Sequence, residues 1–383
     1  MAELILVGVA AVTLTETIDR LIARVDRTAA DSQPGFPHYA DPQSGRWTYS
    51  PDGDWTGGFW VGMCWLAAHA TGAEQYVELG RRYAERLEPR VESDTVFRGF
   101  LFWYGATLGA LLHDDRRARD LALAGARGLA ESYNRAARLL PLGTQAEEAS
   151  DVGEAEANID GVPGGTPLLV WAAAELGVGL LRDMALNHAE RHIELCVRDD
   201  GSVCQSASFD TGTGEVLRRY THKGIRDDST WARAQAWGML GFAQAAAVAP
   251  ERFAEVALRV SDWWLDHLPQ GQIAFWDFDD PAIPHTNIDT SATAIAAAAL
   301  LKLAVVAPER AERERSAAER MVEALGGHLT PLEEADDRPP GMLLDGCYNR
   351  RLDLASRHEL IWGDYFLFES ALVLAGRLDS AGI

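Results

Sequence analysis

The sequence predicts an all-α fold, an (α/α)6 barrel of six inner and six outer helices, with a small β-hairpin on the rim. About a dozen segments show helical spacing of apolar residues, and many form pairs in which an apolar helix precedes a charged one. The pairs recur roughly every 50–60 residues without clear repetition of sequence. The predicted helices span residues 11–28, 57–70, 73–88, 98–112, 114–134, 164–177, 179–197, 229–248, 250–267, 290–306, 308–327 and 361–378.

The first complete pair shows why the two kinds of helix take different places. Residues 57–69 are nearly all apolar, whereas residues 73–83 have one apolar and one charged face. A helix that is apolar all round belongs in the interior, and an amphipathic helix belongs on the outside. The alternation therefore predicts an inner ring and an outer ring.

Strand signals are weak. Residues 202–220 are typical of a hairpin around Thr-Gly-Thr-Gly, and their place between two helices puts them on the rim. Longer irregular stretches rich in Pro, Gly, Asp and aromatic residues are where a barrel carries its function. They span residues 30–56, 136–163, 268–289 and 328–360. Because no linker divides the chain, we expect one domain over residues 1–383.

The charge balance disfavours two classes of partner. The chain has 35 Lys and Arg against 57 Asp and Glu, a net charge of -22. Such acidity argues against nucleic acid and anionic membranes, and an anionic substrate would need a local basic patch. The 12 tryptophans exceed what packing usually requires, and Trp faces are platforms for sugars.

The cysteines are scattered without metal-type spacing, which indicates buried thiols in a reducing compartment and hence a cytoplasmic protein. They are Cys64, Cys196, Cys204 and Cys347. The apolar N-terminus lacks preceding Lys or Arg and is a poor signal peptide, and no run is long enough to span a membrane.

No motif indicates a metal or a cofactor. His188 and His192 lie one turn apart, but on a charged outer helix where we expect them to be solvated. Neither a Gly-rich phosphate loop nor a nucleophile elbow occurs. We therefore expect no cofactor and no metal site.

Arg233 and Trp237 are four residues apart near a predicted helix start, so they share one helix face. Arginine offers a charge-assisted fork to a carboxylate, and tryptophan offers a flat apolar surface to a sugar. The pair suits an anionic, ring-shaped ligand. An arginine that covers a core tryptophan is the alternative.

Asp160 and Trp55 each precede a predicted inner helix, which places them at a barrel mouth. Asp160 is followed by a Gly/Pro-rich turn, and it is a candidate catalytic acid or, alternatively, a turn or cap residue. Trp55 is a candidate platform or a core residue, whereas Trp60 and Trp65 are expected to pack. Asp289 is expected to cap the next inner helix.

Blocks along nearly the whole chain make it resemble glycoside hydrolase family 88, the unsaturated glucuronyl hydrolases. The blocks are Phe36-Pro37-His38, residues 54–60, Ile159-Asp160, residues 167–172, residues 228–238, Trp276-Asp277-Phe278, residues 289–292 and residues 362–365. The resemblance implies an (α/α)6 barrel, in agreement with the helix pattern. It also implies an oligosaccharide substrate whose terminal 4,5-unsaturated uronic acid is removed by hydration of the enol-ether double bond.

The resemblance implies specific roles. Asp160 takes the family's acid/base position, Trp55 and Trp237 its aromatic platforms, and Arg233 its substrate-contacting arginine. Such an acid must be protonated at working pH, and the uronate needs nearby donors. His222 and Lys223 are the nearest cations to the Arg233 helix, and with Gln205 on the hairpin they complete the expected substrate-binding set.

Four positions depart from the family pattern. The family has a His-Asp pair ahead of a Gly-Phe, and here Val96 and Phe97 take the place of that pair. Gln205 replaces the family's histidine on the hairpin, and Lys223 replaces one of its glutamines. A family tryptophan is also absent from residues 139–143. The departures cluster where the substrate should lie, which indicates a changed substrate or reaction.

Two other functions stay open from the sequence. A conventional glycosidase of the same fold needs a second carboxylate beside Asp160, for which Asp94, Asp277 and Asp364 are candidates. A sugar-binding protein without catalysis is the other alternative. The sequence leaves the oligomeric state, the sugar and the linkage undetermined.

Overall fold

The structure is a computed structural model that describes residues 12–31, 33–147, 153–332 and 336–383. The apolar N-terminal segment, the first residue of the first predicted helix and parts of three predicted loops lie outside these ranges. The described helices follow the predicted pattern, and the chain forms an (α/α)6 barrel.

The inner ring consists of helices most of whose residues are buried. They are α2 (Gly57–Thr71), α4 (Arg98–Phe102) with a π-helical turn and α5 (Leu108–His113), α7 (Val162–Leu176), α9 (Ala232–Val248), α11 (Thr290–Val306) and α13 (Ile361–Leu374). Each packs against the next, and α13 packs against α2, so the ring is closed. Trp60 and Trp65 on α2 are fully buried, as expected.

The outer helices present one apolar face to the inner ring. They are α1 (Leu14–Ala29), α3 (Glu74–Glu85), α6 (Arg116–Glu131), α8 (Gly179–Cys196), α10 (Pro250–His267) and α12 (Ala311–Gly326). The predicted boundaries agree with these to within a few residues, and the predicted helix 98–112 is divided by the π-helical turn at Trp103–Thr107.

Among the described residues, two three-stranded antiparallel sheets occur where the sequence predicts a single hairpin. The hairpin itself is β4 (Ser206–Phe209) and β5 (Val216–Tyr220), but β3 (Glu156–Asn158) also pairs with β4, for example through Asn158 and Ser206. The other sheet has the order β2 (Trp47–Ser50), β1 (Phe36–Ala40), β6 (Glu359–Leu360). These short strands carry little sequence pattern because two to five residues cannot establish an alternation.

His188 and His192 are fully buried, so the expectation of a solvated pair is wrong. Their rings lie 4.4 Å apart between α8 and the loop that carries Asp160. The sequence misleads here because charged residues of α8 stand before and after the pair in the chain. In the fold, the sheet of β3, β4 and β5 and the loop with Asp160 cover this part of the helix. Burial lowers the pKa of His192 to about 4.

Among the described helices, none combines the length and apolarity needed to cross a bilayer. All four cysteines are buried free thiols. Within the same residues, no group of three or more His, Cys, Asp or Glu side chains could hold a metal ion.

Candidate active site

The inner helices begin at one end of the barrel and enclose a small cavity there, called the Asp160 cavity below. Its volume is about 10 Å³, roughly enough for one water molecule, so a sugar ring requires side chains to move. The lining residues are Trp55, Phe97, Phe100, Asp160, Lys223, Trp231, Arg233 and Trp237. Five of the seven residues that the sequence predicts as site residues therefore meet in one place.

Asp160 lies in a short 3-10 turn, Ile159–Gly161, that joins β3 to α7. The side chain of Asn158 accepts a hydrogen bond from the backbone N–H of Asp160 at 3.0 Å, and the carbonyl of Gln205 accepts one from Ile159 at 2.9 Å. Gly161 must be glycine because a Cβ atom there would lie 2.7 Å from Val96. These contacts fix the turn. Its N-cap is Asn158 and that of α7 is Gly161, so Asp160 is the side-chain cap of neither element.

His188 supports the same turn from behind. The backbone N–H of Leu140 donates to Nδ1 of His188 at 3.0 Å, which makes Nδ1 an acceptor and puts the proton on Nε2. Nε2 then donates to the carbonyl of Gly161 at 3.3 Å. Burial holds the pKa of His188 well below its usual range, so the neutral form that makes both bonds persists.

Gln205 and His222 lie next to the cavity lining. Gln205 accepts a hydrogen bond from the backbone N–H of Lys223 at 3.0 Å and contacts Nε2 of His222 at 3.4 Å. Ser206 contacts Nδ1 of the same histidine at 3.3 Å. The hairpin residue Gln205 thus bridges the Asp160 turn and Lys223 through its carbonyl and its side chain.

Lys223 brings an ammonium group to the cavity. Its Nζ lies 4.8 Å from the ring centre of Tyr348 and 3.8 Å from Oε2 of Glu147. The hydroxyl of Tyr348 donates to the same carboxylate, and Nε1 of Trp55 donates to that hydroxyl at 3.4 Å.

Arg233 is held mainly by protein partners. Nη1 donates to Asp289 at 3.0 Å, and Nη1 and Nη2 donate to the carbonyls of Cys347 and Tyr348 at 2.5 and 2.7 Å. Its guanidinium stacks over Trp231 at 4.3 Å. Its Nε, by contrast, has no hydrogen-bond partner among the described residues. Asp289 also caps α11, as predicted.

Aromatic side chains form the cavity walls. The ring centres of Trp55 and Trp362 lie 4.7 Å apart, and those of Phe100 and Trp237 lie 4.9 Å apart. Phe97 stacks parallel to Phe100 at 5.8 Å and is 4% exposed. The position at which the family pattern has an acid is therefore part of an apolar wall.

The three candidates for a second carboxylate do not line the cavity. Asp94 accepts hydrogen bonds from the backbone and hydroxyl of Thr144. Asp277 accepts from Ser229 at 2.7 Å, and Asp364 is fully buried beside Glu359, where burial raises its pKa well above the usual range. Among the described residues that line the cavity, Asp160 supplies the carboxylate.

Curated proteins of known activity resemble this chain over most of its length. The unsaturated glucuronyl hydrolase of Bacillus sp. (strain GL1) is 33% identical over 351 residues, which cover 88% of this chain and 90% of the relative. The chain belongs to the unsaturated glucuronyl hydrolase family. The unsaturated chondroitin disaccharide hydrolase of Streptococcus pyogenes serotype M1 is 26% identical and covers 94% of this chain and 90% of the relative. No family model matches the chain.

Solved structures agree with this family membership. An aspartate-to-asparagine variant of an unsaturated glucuronyl hydrolase, with dGlcA-Glc-Rha-Glc, superposes with a TM-score of 0.88 at 30% identity and covers 94% of this chain and 97% of that one. The Bacillus sp. GL1 enzyme structure gives 0.85 at 29% identity with the same coverage. The family's enzymes are hydrolases, and so is this member.

The sequence missed several residues that the structure places at the site. Tyr348 lies in a loop without a distinctive motif, Phe100 lies near the start of α4, and Glu147 lies within the predicted irregular stretch 136–163. His188 was identified but placed on the surface. A signal existed for Trp231 and Phe100, because Trp231 lies within the family block of residues 228–238 and Phe100 belongs to the Gly-Phe that follows Val96 and Phe97.

Proposed function

We propose that this enzyme hydrolyses glycosides of 4,5-unsaturated uronic acids, with Asp160 as the acid and base. The supporting observation is that Asp160 contributes the carboxyl group to a cavity walled by Trp55, Phe100 and Trp237 and flanked by Lys223. Relatives with this activity share the fold and most of the chain length. We further propose that the whole barrel is one catalytic domain, located in the cytoplasm, where free thiols persist.

The reaction begins with protonation of the double bond. The carboxyl group of Asp160 donates its proton to C4, and positive charge develops at C5, where the ring oxygen shares it. A water molecule adds to C5, and the Asp160 carboxylate accepts a proton from it. One water is consumed, and Asp160 returns to its protonated state.

The product of hydration then breaks down without further catalytic groups. The hemiketal opens when the bond between C5 and the ring oxygen breaks, which leaves a ketone at C5. The ring oxygen stays on C1 as the hydroxyl of a hemiacetal, and this hemiacetal then releases the remaining sugar as an alcohol. This route needs no nucleophile on the opposite face of the sugar, so the apolar side chain at Phe97 is compatible with it. A conventional two-carboxylate glycosidase would need a second acid at the cavity.

The remaining site residues bind and orient the substrate in this proposal. Trp55 and Trp237 contact the faces of the sugar, Lys223 attracts the uronate, and Arg233 offers the N–H of Nε. Gln205 and His222 hold the segment from which Lys223 projects.

Incubation with a panel of unsaturated disaccharides tests the proposal. We expect the ultraviolet absorbance of the conjugated double bond to decay for at least one member. Unsaturated chondroitin disaccharide and dGlcA-Glc-Rha-Glc are the first choices, because one relative is named for the former and one solved structure is shown with the latter. Saturated disaccharides of the same composition are the control and should be stable. Absence of decay across the panel at high enzyme concentration would overturn the proposal.

A further inference from the structure

A protein carboxylate lies between two donors at the edge of the Asp160 cavity. Glu147 accepts a hydrogen bond from the hydroxyl of Tyr348, and its Oε2 lies 3.8 Å from Nζ of Lys223. The side chain of Lys223 is 6% exposed, whereas that of Glu147 is 34% exposed. A buried cation thus faces a carboxylate that reaches in from the solvent side.

Two contacts connect this carboxylate to the cavity. Lys223 itself lines the cavity, and Trp55, another lining residue, donates to the Tyr348 hydroxyl that holds Glu147. Glu147 is also close enough to Asp54 to contribute, after burial, to raising its pKa to about 6. The carboxylate therefore lies where the exocyclic acid group of a bound uronate could reach the same donors.

The cations of the cavity differ in availability. Arg233 has a buried counter-ion in Asp289 and two carbonyl acceptors, so its charge is already compensated inside the protein. The geometry of Lys223 differs, because the carboxylate of Glu147 that faces its ammonium group belongs to a side chain that is 34% exposed. In a chain with a net charge of -22, a cation that faces a partly exposed carboxylate is better placed to meet an anionic ligand than one whose counter-ion is buried.

We infer that Lys223 and Tyr348 form the subsite for the uronate carboxylate, and that Glu147 occupies it as an internal competitor that the substrate displaces. The inference rests on the proposed function for the identity of the substrate. It assigns the carboxylate subsite to a lysine that departs from the family pattern. It also explains how the protein satisfies a buried ammonium group before the ligand arrives.

The segment before Glu147 is anchored by hydrogen bonds to Asp94. The backbone N–H of Gln145 donates to the carbonyl of Asp94 at 2.9 Å, and Thr144 donates to the Asp94 carboxylate at 2.9 Å from its backbone and 2.6 Å from its hydroxyl. Asp94 therefore acts at a distance from the cavity, by fixing the segment that delivers Glu147.

Glu147→Gln tests the inference because it removes the charge and keeps the shape. We expect the variant to bind saturated glucuronate about fivefold more tightly than the wild type in calorimetry, and glucose equally well. We also expect KM for an unsaturated disaccharide to fall about fivefold, with a matching rise in kcat/KM. Glu154→Gln, the same charge change at an exposed site in the next described segment, should leave both quantities unchanged.

Lys223→Gln in the Glu147→Gln background supplies the second arm. Without the ammonium group, the gain in glucuronate affinity should disappear, while glucose binding stays the same. Weaker or unchanged glucuronate binding in Glu147→Gln, or a rise in KM, would overturn the inference. Weaker binding would instead make Glu147 a residue that holds the substrate. Tighter glucuronate binding together with no turnover of any panel member would support the subsite and refute the proposed reaction.

Discussion

Arg233 donates a hydrogen bond to Asp289 at 3.0 Å, and both side chains are at most 1% exposed. The same guanidinium binds the carbonyls of Cys347 and Tyr348, while Asp289 caps α11. One buried ion pair thus joins α9, α11 and the loop that carries Tyr348. The geometry of the cavity depends on this pair even before any substrate is considered.

Replacement of Arg233 by methionine should destabilise the fold strongly. The variant leaves the buried Asp289 carboxylate without its counter-ion, for which a loss of about 3–5 kcal/mol in the free energy of unfolding is expected. Denaturant unfolding followed by circular dichroism measures it. The double variant Arg233→Met/Asp289→Asn should lose less than the sum of the two single changes, since the two residues share one interaction.

Arg226→Met is the matched control for that change. Arg226 forms ion pairs with Asp228 and Asp279, but its side chain is 51% exposed. A loss below about 1 kcal/mol is expected there. If Arg233→Met were as mild as this control, the buried pair would not have the structural role described.

His188→Leu should impair turnover more than substrate binding. The change removes the bonds to Leu140 and Gly161 and so loosens the turn that holds Asp160. We expect kcat to fall about 10- to 100-fold with little change in KM, because small displacements of a catalytic group cost much of the rate. His188→Asn, which can still accept from Leu140, should recover part of the lost kcat. Equal kcat in all three proteins would show that His188 does not position Asp160.

Acid should destabilise the protein through its buried histidines. Burial lowers the pKa of His192 from 6.5 to about 4. Between these two pH values the histidine is protonated in the unfolded chain and neutral in the folded protein. Stability from this group is complete above pH 6.5 and is lost as the pH falls toward 4, where the loss is about 3 kcal/mol. The difference in unfolding free energy between His192→Gln and wild type, measured across this range, gives the effect.

The exposed His285 provides the control for the pH experiment. His285→Gln should follow the wild-type stability curve across the same interval. In contrast, the His192→Gln curve should fall less steeply below pH 6.5. Parallel curves for wild type and His192→Gln would contradict the burial of that ring as a neutral group.

The helical architecture could be predicted because its signal is local. The residues of each helix predict whether it lies in the inner or the outer ring. The inner helices α11 and α13 are mostly apolar, and the outer helices α10 and α12 are amphipathic. The ring of helix starts then brings Trp55, Asp160 and Trp237 together without any long-range information. For this reason the fold and most of the cavity lining agree with the prediction.

The remaining features depend on partners far apart in the chain. β1 pairs with β6 more than 300 residues later, and the ion pair between Arg24 and Glu359 joins the same regions. The burial of His188 depends on Leu140 and Gly161, which no periodicity in α8 reveals. Two ion-pair contacts likewise form only in the folded chain. They are the pair between Arg233 and Asp289 and the contact between Glu147 and Lys223.

The rate at which Asp160→Asn consumes an unsaturated uronyl disaccharide, followed by ultraviolet absorbance beside the wild type, tests the catalytic assignment most directly. The amide cannot donate the proton, so we expect the rate to fall about 100- to 10,000-fold, with glucuronate binding retained and a melting temperature within about 2 °C of wild type. A variant that folds, binds glucuronate and still turns over at the wild-type rate would show that another group protonates the double bond.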